Sequence, residues 1–597
     1  MSNYDYAVLA FYFVFMLAIS WAFRRFVTNV SDYFRSGGQI VWWMVGGSAF
    51  MVSFSAWTFT GAASKAYSDG WPIAVIYVAN AIGFIFNALY FAPKFRQLRV
   101  ITAIQAVRER FGKANEQIFT WLQLPTGIVY AGIWLNALGV FFAAAFGLDL
   151  TLTIIGTGLV VLTMSLIGGS WAVVASDFIQ VLILMPVCLV VAILAVIKVG
   201  GLGAFLDQVP TQHFDFGQVF SKEFLLFWCL AILVKQFTST NNLMDASRYL
   251  CVKDSRHARW AGFLGAGLFI FGIFIWFVPP MAAAVLFPDL SVVFPKLNNP
   301  HEGAFMAISQ AVLPLGMVGL LVSGIFAATM SSMDSGLNKN AGIFIKNFYQ
   351  PILQPHATDR QLLRAGKFTT IVLGLLVILV AWQLSKLRGM SLFDMMVRFG
   401  SLVSVPITVP LVWGLLIKRT PPWAAWTTVL VGFISSLVCE NILTSRWAAD
   451  TFIGAGSVLD RSSTEYWGQA IAVSLNILVG SVWFIGSTLF WRQASPAYRA
   501  QVETFFTKLH TPVDFHGEGG VDNSARQESL IGKLCLAYGG FVMVLVAIPN
   551  PLLGRLSFLF CGGLVAGIGL ALVRKAGRTL LSDAAPLSQD SKNPIRT

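Results

Sequence analysis

Runs of mostly apolar residues, each roughly 17 to 30 residues long, follow one another along nearly the whole chain. About 20 apolar residues in a helix cross a bilayer, and lipid admits only helices or closed barrels because every backbone polar group needs an internal partner. With 56% apolar and 12% charged residues, the chain lies outside the composition of soluble domains. We therefore predict an all-α polytopic membrane protein with about fifteen transmembrane helices. The predicted spans are 4–23, 40–66, 71–92, 118–146, 149–168, 171–198, 223–243, 258–287, 315–347, 365–385, 391–416, 421–442, 466–491, 531–548 and 552–573.

The basic residues indicate the orientation of these spans. If the N-terminus is outside, about 30 of the 41 lysines and arginines fall in inner segments, which is the asymmetry that the positive-inside rule describes. The net charge of +13 then reflects attraction to the anionic inner leaflet and needs no nucleic-acid partner. The first run, 4–23, lacks a basic start and a small-residue cleavage site, so we interpret it as a retained span. We expect a multi-pass protein of the cell (inner) membrane with its N-terminus outside and its C-terminus cytoplasmic.

Several classes of function have no signature in this sequence. The six cysteines show no metal or disulfide spacing, and the six histidines fall in loops or at loop edges. No Gly-x-x-x-x-Gly-Lys-Ser/Thr loop occurs, so pumping driven by ATP hydrolysis within this chain is not supported. We expect no enzyme activity, no organic cofactor and no obligate protein partner. A solute sensor with a transporter-like fold would need an output domain, for which the tail and the segment 496–528 leave no room.

Four polar side chains interrupt the apolar run 316–348, namely Ser331, Ser332, Asp334 and Ser335. Polar groups at membrane depth are costly and usually face a cavity or a bound ion. Helical spacing places the hydroxyls of Ser331 and Ser335 on one face, and hydroxyl and carbonyl oxygens beside a carboxylate suit a hard monovalent cation. The alternative is that the serines bond back to carbonyls one turn earlier or allow helices to pack closely.

Three other sets of polar residues within the spans are further candidates. In 40–66, glycines and hydroxyl residues predict either a broken helix that exposes carbonyls to a cavity or a small-residue packing face. Asp177, with Gln180 at i, i+3, is a candidate for cation coordination or for protonation. Lys235 and Arg398 either face a substrate or extend to the membrane surface.

Four blocks of the chain resemble the sodium:solute symporters, a family that includes sodium-sugar, sodium-proline and sodium-sialic acid carriers. They lie between about residues 30 and 420. The blocks are Ser31-Asp-Tyr-Phe with Gly37-Gly and Phe54-Ser-Ala-Trp-Thr-Phe-Thr-Gly61; Gly168-Gly-Ser-Trp-Ala-Val with Ser176-Asp-Phe-Ile-Gln180; Ser247-Arg-Tyr-Leu-Cys-Val-Lys253; and Phe326-Ala-Ala-Thr-Met-Ser-Ser-Met-Asp-Ser-Gly-Leu-Asn338.

The resemblance implies a core of two five-helix units with inverted topology, 40–199 and 223–417. One extra helix would precede this core and about four would follow it. The remaining segments would be an N-terminal helix with an inner loop, an outer loop, two accessory helices, a cytoplasmic segment, a helical hairpin and a cytoplasmic tail, at 1–39, 200–222, 418–491, 492–530, 531–574 and 575–597.

The resemblance also implies which residues bind the transported species, with one or two Na⁺ as the only metal. The principal sodium site would use the backbone carbonyls of Met51, Phe54 and Ala328 and the hydroxyls of Ser331 and Ser332. A second sodium, present in some members, would bind at Asp177, Ser331, Asp334 and Ser335. The substrate contacts would be Ser53, Trp57, Thr58, Tyr77, Asn80, Lys235, Thr238 and Val397 or Arg398.

The substrate positions depart from those of the sugar carriers. Trp57 and Tyr77 replace acidic or amide residues, and Lys235 replaces an amide. A site with a lysine, and with no carboxylate beyond those of the sodium sites, favours a substrate that carries a carboxylate, such as a sugar acid. Trp57 can stack on a ring. We expect sodium-coupled import of a small organic anion by alternating access. The alternatives are proton coupling through Asp177 in the same fold and a sodium-coupled carrier of a neutral sugar.

Overall fold

The computed structural model describes residues 1–23, 38–100, 102–167, 170–214, 222–387, 389–452, 461–518 and 522–584. Within these ranges every regular element is helical, and the β-type pairing is limited to an isolated parallel bridge between Ile40 and Val252. The all-α prediction is therefore confirmed. Each helix satisfies its own backbone, which is the requirement that the bilayer imposes.

The principal helices follow one another along the chain with short connections. In chain order they are α1 (Asn3–Phe23), α2 (Trp42–Val52), α3 (Ala63–Asp69), α4 (Trp71–Gln97), α5 (Ala103–Phe111), α6 (Lys113–Phe146), α7 (Leu150–Ile167), α8 (Ser170–Val199), α9 (Lys222–Thr240), α10 (Ser255–Leu286), α11 (Ala304–Val312), α12 (Met317–Phe344), α13 (Asp359–Leu384), α14 (Leu392–Leu416), α15 (Ala424–Asn441), α16 (Arg461–Gly486), α17 (Pro496–His510), α18 (Ser524–Val544) and α19 (Leu552–Ala584). Shorter helices include Leu202–Gln208, Leu290–Val293 and Ser445–Phe452.

Each predicted span falls on a helix, but not every one of these helices is long enough to cross a bilayer alone. Twelve helices in the described residues have the length and composition of a span, and the bent pair Phe224–Thr240 and Leu243–Cys251, with an angle of 45°, makes a thirteenth. Trp42–Val52 and Leu150–Leu166 are apolar but shorter. The number of helices with the length and composition of a span is thus 12 to 13 rather than about fifteen. α2 falls short of that length because a break interrupts the helix.

The break follows Val52, at which α2 ends. Residues 53–55 are not helical, and a π-helical turn at Thr58–Ala62 then leads into α3. The last carbonyls of a helix have no partner within the helix, and at membrane depth they cannot turn to water. The break therefore makes backbone oxygens available to side chains of another helix or to an ion.

Small residues bring α2 close to its neighbours. A Cβ on Gly46 would lie 2.8 Å from the carbonyl oxygen of Ala261 in α10, and a Cβ on Gly47 would lie 3.3 Å from the ring of Phe178 in α8. Both interpretations of the span 40–66 therefore hold, because a packing face precedes the break. α12 packs along α8 and also contacts α2 and α1. The polar residues predicted on α2, α8 and α12 thus meet in one part of the core.

The helices that follow the second five-helix unit lie against the core. α15 and α16 pack together and against α14, and α16 also contacts α9. α18 and α19 form a hairpin with closely approaching backbones, in which a Cβ on Gly539 would lie 2.5 Å from the backbone nitrogen of Ala566. α17 lies on α5, where Gln501 donates to the carbonyls of Arg108 and Glu109 at 2.9 Å.

Candidate functional site

A buried hydroxyl group on α12 meets the break in the first core helix. Four carbonyl oxygens lie 2.8–3.3 Å from Oγ of Ser332, those of Met51, Val52, Phe54 and Ala328. A hydroxyl has one hydrogen to donate, so it satisfies these carbonyls one at a time. The carbonyl of Met51 also accepts from the backbone N–H of Phe54 at 3.2 Å. Several carbonyl oxygens nevertheless converge on one point, and oxygens of this kind are the ligands that a hard cation prefers.

Ser331, the preceding residue, adds an unsatisfied oxygen. Its side chain is 1% exposed, and its Oγ has no hydrogen-bond partner among the described residues. A buried hydroxyl without a partner costs about 1–3 kcal/mol. The orphaned hydroxyl and the excess of carbonyls both fit a bound cation such as Na⁺. The structure thus brings together the predicted ligands Met51, Phe54, Ala328 and Ser332, with Ser331 next to them in the chain.

Thr329 fastens the break to α12, and the sequence analysis missed it. Its Oγ1 accepts a hydrogen bond from the backbone N–H of Ala56 at 2.8 Å and donates to the carbonyl of Ile325 at 3.1 Å. The N–H of Ala56 lies at the start of the resumed helix, where backbone donors lack intrahelical partners. The sequence could have indicated this role, because Thr329 lies three residues before Ser332 and therefore shares its helix face.

Two buried carboxylates, Asp177 on α8 and Asp334 on α12, lie close enough to interact electrostatically. The hydroxyl of Ser48 on α2 donates to Oδ2 of Asp177, and the hydroxyl of Ser165 on α7 donates to Oδ1 of Asp334. Neither serine was among the predicted ligands. The side chain of Ser335 lies outside the described residues, so its predicted part in the second sodium site has no counterpart in the structure.

Asp177 has two further neighbours. Nη2 of Arg248 lies 3.8 Å from its Oδ2, and the hydroxyl of Ser331 lies beside the carboxylate. Oδ1 of Asp177 and Oγ of Ser331 nevertheless lack a well-formed hydrogen bond within the described part of the chain. Because the Asp177 side chain is 0% exposed, this oxygen pair needs a partner other than bulk water. Its composition suits a second monovalent cation.

A cavity of about 420 Å³ lies beside the break. The size is that of a pocket for a small organic molecule. Seven of the predicted substrate residues line it, namely Ser53, Trp57, Thr58, Tyr77, Asn80, Lys235 and Val397. They come from α4, α9, α14 and the segment around the break, so the cavity lies between the two five-helix units.

Thr238 and Arg398 do not belong to the lining of this cavity. The hydroxyl of Thr238 bonds back to the carbonyl of Lys235 at 2.8 Å. Arg398 is 57% exposed and pairs with Glu440, with Nε 3.0 Å from Oε1. The physical reason is helical phase, because neighbouring residues such as Val397 and Arg398 point about 100° apart. Arg398 therefore leaves the set of candidate substrate ligands, and so does Thr238.

Several polar groups in the cavity already have partners. The hydroxyl of Tyr77 donates to Oγ1 of Thr58 at 2.9 Å, and Nε2 of Gln236 donates to Oδ1 of Asn80 at 2.7 Å. Gln236 was not predicted, although it follows Lys235 directly. These pairs fix the orientation of a hydroxyl and an amide along the wall, so that a solute meets a preformed polar surface.

The charged residues on the lining are predominantly cationic. Lys235, Arg248 and Lys339 line the cavity with one carboxylate, Asp245, which accepts from Asn242 at 2.7 Å and faces Lys339. Lys235 has no ion pair among the described residues. Its ammonium group lies in the space beside Gly400, 3.4 Å from where a Cβ on that glycine would be. The cavity therefore offers an uncompensated cation to a solute.

At one end of the cavity, Trp57 packs against α14. Nε1 of Trp57 donates to the carbonyl of Leu392 at 3.0 Å, and its ring stacks on Phe393 with centroids 5.9 Å apart. Beyond this contact, Nζ of Lys65 lies 2.5 Å from Oε2 of Glu465. At the other end the lining continues to Thr102, Ser247, Cys251 and Lys339, which belong to the segments with the predicted inner basic residues.

Comparisons with known proteins agree with this architecture. The family model described as "Sodium:solute symporter family" matches residues 33–432. Sodium/myo-inositol cotransporter 2 of Mus musculus is 26% identical over 486 residues, which cover 73% of this chain and 69% of the relative. The sodium/glucose cotransporter of Vibrio parahaemolyticus is 26% identical over 471 residues, which cover 73% of this chain and 84% of the relative.

A solved structure has the same fold. It is the substrate-bound, outward-open state of a Na⁺-coupled sialic acid symporter, with a TM-score of 0.64 and 20% sequence identity, and the match covers 83% of this chain and 99% of that chain. At this identity the likeness concerns the fold alone. Together with the family match over two thirds of the chain, it shows that this protein is a membrane transporter and not an enzyme, and that it belongs to the sodium:solute symporter family.

Proposed function

We propose that the protein imports a small organic anion together with sodium by alternating access. The observation that carries sodium coupling is the group of four carbonyl oxygens, those of Met51, Val52, Phe54 and Ala328, that lie 2.8–3.3 Å from Oγ of Ser332. The orphaned hydroxyl of Ser331 supports it. Sodium is a transported co-substrate in this proposal, and its number is one or two.

The position of this site explains how sodium would drive transport. Its oxygens come from both the break after α2 and the middle of α12, so an ion bound there holds these two elements together. A conformation that separates them loses ligands and binds sodium less tightly, and a ligand shifts a conformational equilibrium by its difference in affinity. Each sodium that moves inward contributes about 2.3 kcal/mol per 100 mV of membrane potential.

The charge of the cavity supports an anionic solute. Lys235 has no carboxylate partner in the described residues, and Asp177 and Asp334 are not part of the cavity lining. A solute carboxylate can therefore pair with Lys235 without competing for the carboxylates that would bind cations. The apolar face of the cavity, which includes the ring of Trp57, would accommodate the body of the solute.

A neutral sugar or polyol is the second candidate substrate. The relatives described above are named as myo-inositol and glucose cotransporters. The fixed pairs of Tyr77 with Thr58 and of Gln236 with Asn80 offer donors and acceptors that suit hydroxyl groups. The two candidates differ in what they require from Lys235, since a neutral solute gains no ion pair from it.

The substitution Lys235→Gln separates these candidates. A hydrogen bond to a charged group contributes about 1.5–3 kcal/mol, so loss of the ammonium group should raise KM for D-glucuronate about 10- to 100-fold and change that for myo-inositol little. The measurement is uptake of both labelled solutes into proteoliposomes. Lys346→Gln is the matched control, because Lys346 lies outside the cavity and bonds to Gln350 at 3.1 Å. Unchanged D-glucuronate uptake by Lys235→Gln would contradict an anionic substrate.

Proton coupling through Asp177 is the alternative driving mechanism. The buried carboxylate with one unpaired oxygen is the observation that favours it. Replacement of external sodium by choline at constant pH should abolish uptake if sodium drives it, and a pH step at constant sodium should have little effect. For a solute of charge −1, one sodium gives electroneutral transport and two give a current, which solid-supported-membrane recording distinguishes.

We also propose the orientation that the basic segments indicate, with the N-terminus outside and the C-terminus in the cytoplasm. The end of the cavity at Trp57 and α14 then faces outward. The end that continues to Ser247 and Lys339 faces the cytoplasm. Labelling of a cysteine introduced into α17 should require a membrane-permeant reagent in intact cells if this orientation is correct.

A further inference from the structure

Arg248 lies between a buried carboxylate and the cavity. Its Nη2 is 3.8 Å from Oδ2 of Asp177, and the residue is also part of the cavity lining. Its side chain is 12% exposed, whereas that of Asp177 is 0% exposed. Arg248 follows the 45° bend between Phe224–Thr240 and Leu243–Cys251, so it sits on a turn and not within a long rigid helix. Because Arg248 borders both the carboxylate and the cavity, rotation of its side chain would turn the guanidinium from one to the other.

The carboxylate attracts both Arg248 and a cation at the second site. Oδ2 of Asp177 faces Ser48 and Arg248, while Oδ1 has no hydrogen-bond partner among the described residues. The hydroxyl of Ser331 lies beside the same carboxylate. A cation between Oδ1 and Ser331 would neutralise the charge that attracts the guanidinium. A buried ion pair is stable only if the attraction between its charges offsets their desolvation. Once a cation neutralises Asp177, the guanidinium of Arg248 no longer gains that attraction.

The surroundings of Arg248 on the cavity side also favour an anion. Lys339 lies near enough to Arg248 to repel its guanidinium electrostatically. Asp245, the carboxylate on the cavity lining, already interacts with Asn242 and Lys339. A guanidinium released from Asp177 would thus enter a region with excess positive charge. A solute carboxylate would offset this charge and can bind the planar guanidinium through two parallel hydrogen bonds.

We infer that Arg248 links the second cation position to the organic anion: it pairs with Asp177 when this position is empty of cation, and it turns into the cavity to bind the anion when a cation is present. The inference rests on the proposed function, since it assumes both sodium and an anionic solute. It adds a residue that makes the affinity for one depend on the other. By thermodynamic linkage the anion then strengthens cation binding by the same factor.

The first test uses sodium alone. Equilibrium binding of ²²Na⁺ is measured on the purified full-length protein for the wild type, Arg248→Gln, Asp177→Asn and the double variant, with Lys339→Gln as the control that removes a different cation from the lining. Arg248→Gln should bind the second sodium at least about 5-fold more tightly, and this gain should vanish in the Asp177→Asn background, as a direct pair requires in a double-mutant cycle. Arg248→Lys, which keeps the charge, should show a smaller gain.

A gain that persists without Asp177, or an equal gain from Lys339→Gln, would overturn the inference, because both point to a general loss of positive charge. Unchanged sodium affinity in Arg248→Gln would overturn it as well, while leaving the proposed function intact. Absence of ²²Na⁺ binding in the wild type would instead refute the proposed function itself, and the inference with it.

The second test adds a solute. D-glucuronate and myo-inositol serve as charged and neutral probes, and their binding is measured by calorimetry in sodium and in choline. Sodium should tighten D-glucuronate binding in the wild type and in Lys339→Gln, and Arg248→Gln should lose most of this dependence. The effect of sodium on myo-inositol binding should be the same in the wild type, Lys339→Gln and Arg248→Gln. A wild type that binds myo-inositol but not D-glucuronate would overturn the anionic proposal and this inference together.

Discussion

The substitution Ser332→Ala removes the hydroxyl on which the break carbonyls converge. In the absence of sodium it removes the hydroxyl donor from the carbonyl of Phe54, at a cost of about 1–3 kcal/mol, whereas the carbonyl of Met51 keeps the backbone N–H of Phe54 at 3.2 Å. In its presence the ion loses one of five predicted oxygen ligands. If that ligand contributes about as much as a hydrogen bond to a charged group, near 1.5 kcal/mol, the sodium Kd rises about tenfold.

The assay is thermal unfolding of the purified protein in sodium and in choline. At a sodium concentration 100 times the wild-type Kd, binding stabilises the fold by about 2.7 kcal/mol, and a tenfold weaker Kd reduces this to about 1.4 kcal/mol. The sodium-dependent rise in melting temperature should therefore fall by about half in Ser332→Ala. The side chain of Ser332 is 1% exposed, so its substitution acts on buried groups and not on the solvent-exposed surface.

Ser323→Ala is the matched control on the same helix. Ser323 is 0% exposed and its hydroxyl donates to the carbonyl of Gly319 at 2.7 Å, away from the break. Both variants should lose some stability in choline, but Ser323→Ala should retain the full response to sodium. If Ser332→Ala also retained it, the carbonyl cluster would not be a sodium site, and the reasoning from convergent oxygens would be refuted.

Three further perturbations concern the regions around the site. Glu465→Gln removes the carboxylate 2.5 Å from Lys65, which keeps Asp69 at 3.6 Å, and should raise amide exchange in α3 and α16 several-fold. Unchanged exchange would show that this pair does not hold α3 against α16. Arg110→Met removes the guanidinium that donates to three carbonyls at the end of α14 at 2.7–3.2 Å. The free energy of unfolding should fall by about 3 kcal/mol or more, and the melting temperature with it. An unchanged melting temperature would contradict this. Burial acts to raise the pKa of Asp522, but hydrogen bonds from Lys253 and Ser524 lower it to about 2. Because this pKa lies below the unfolded value of about 3.9, its stabilising effect is complete at neutral pH and is lost only as the pH falls toward 2. The amide protection factors at the start of α18, which are corrected for the intrinsic pH dependence of exchange, should therefore be equal at pH 7 and 5 and should fall at both in Asp522→Asn.

The break in the first core helix and its contact with α12 could be predicted from the sequence. Glycines and hydroxyl residues in one apolar span, and the serines of another, are both too polar for lipid and therefore require partners inside the protein. The four blocks that resemble the symporter family then indicated which serines and carbonyls meet. The structure shows Ser332 within 2.8–3.3 Å of the break carbonyls.

The partners of the carboxylates could not be predicted in the same way. Ser48 is the single hydroxyl residue of α2 and Ser165 is one of five in α7, and most hydroxyl residues in apolar helices bond back to their own backbone. Ser165 does this as well, since its hydroxyl lies 2.9 Å from the carbonyl of Val161. The resemblance to the family implies that Thr238 and Arg398 face the cavity. The rotation of each helix decides which side chains face inward, however, and apolar residues on all sides of a membrane helix obscure that rotation.

One segment of the chain serves both the cation position and the cavity. The carbonyls of Met51 and Phe54 approach Ser332, and Ser53, between them, lines the cavity. Thr58, in the π-helical turn that follows, belongs to the same wall. Because residues 53–55 are not held by helical hydrogen bonds, their positions depend on what binds the adjacent carbonyls. A cation at these carbonyls would therefore fix part of the proposed solute site directly, and it would couple the two affinities without a signal having to pass through the rest of the fold.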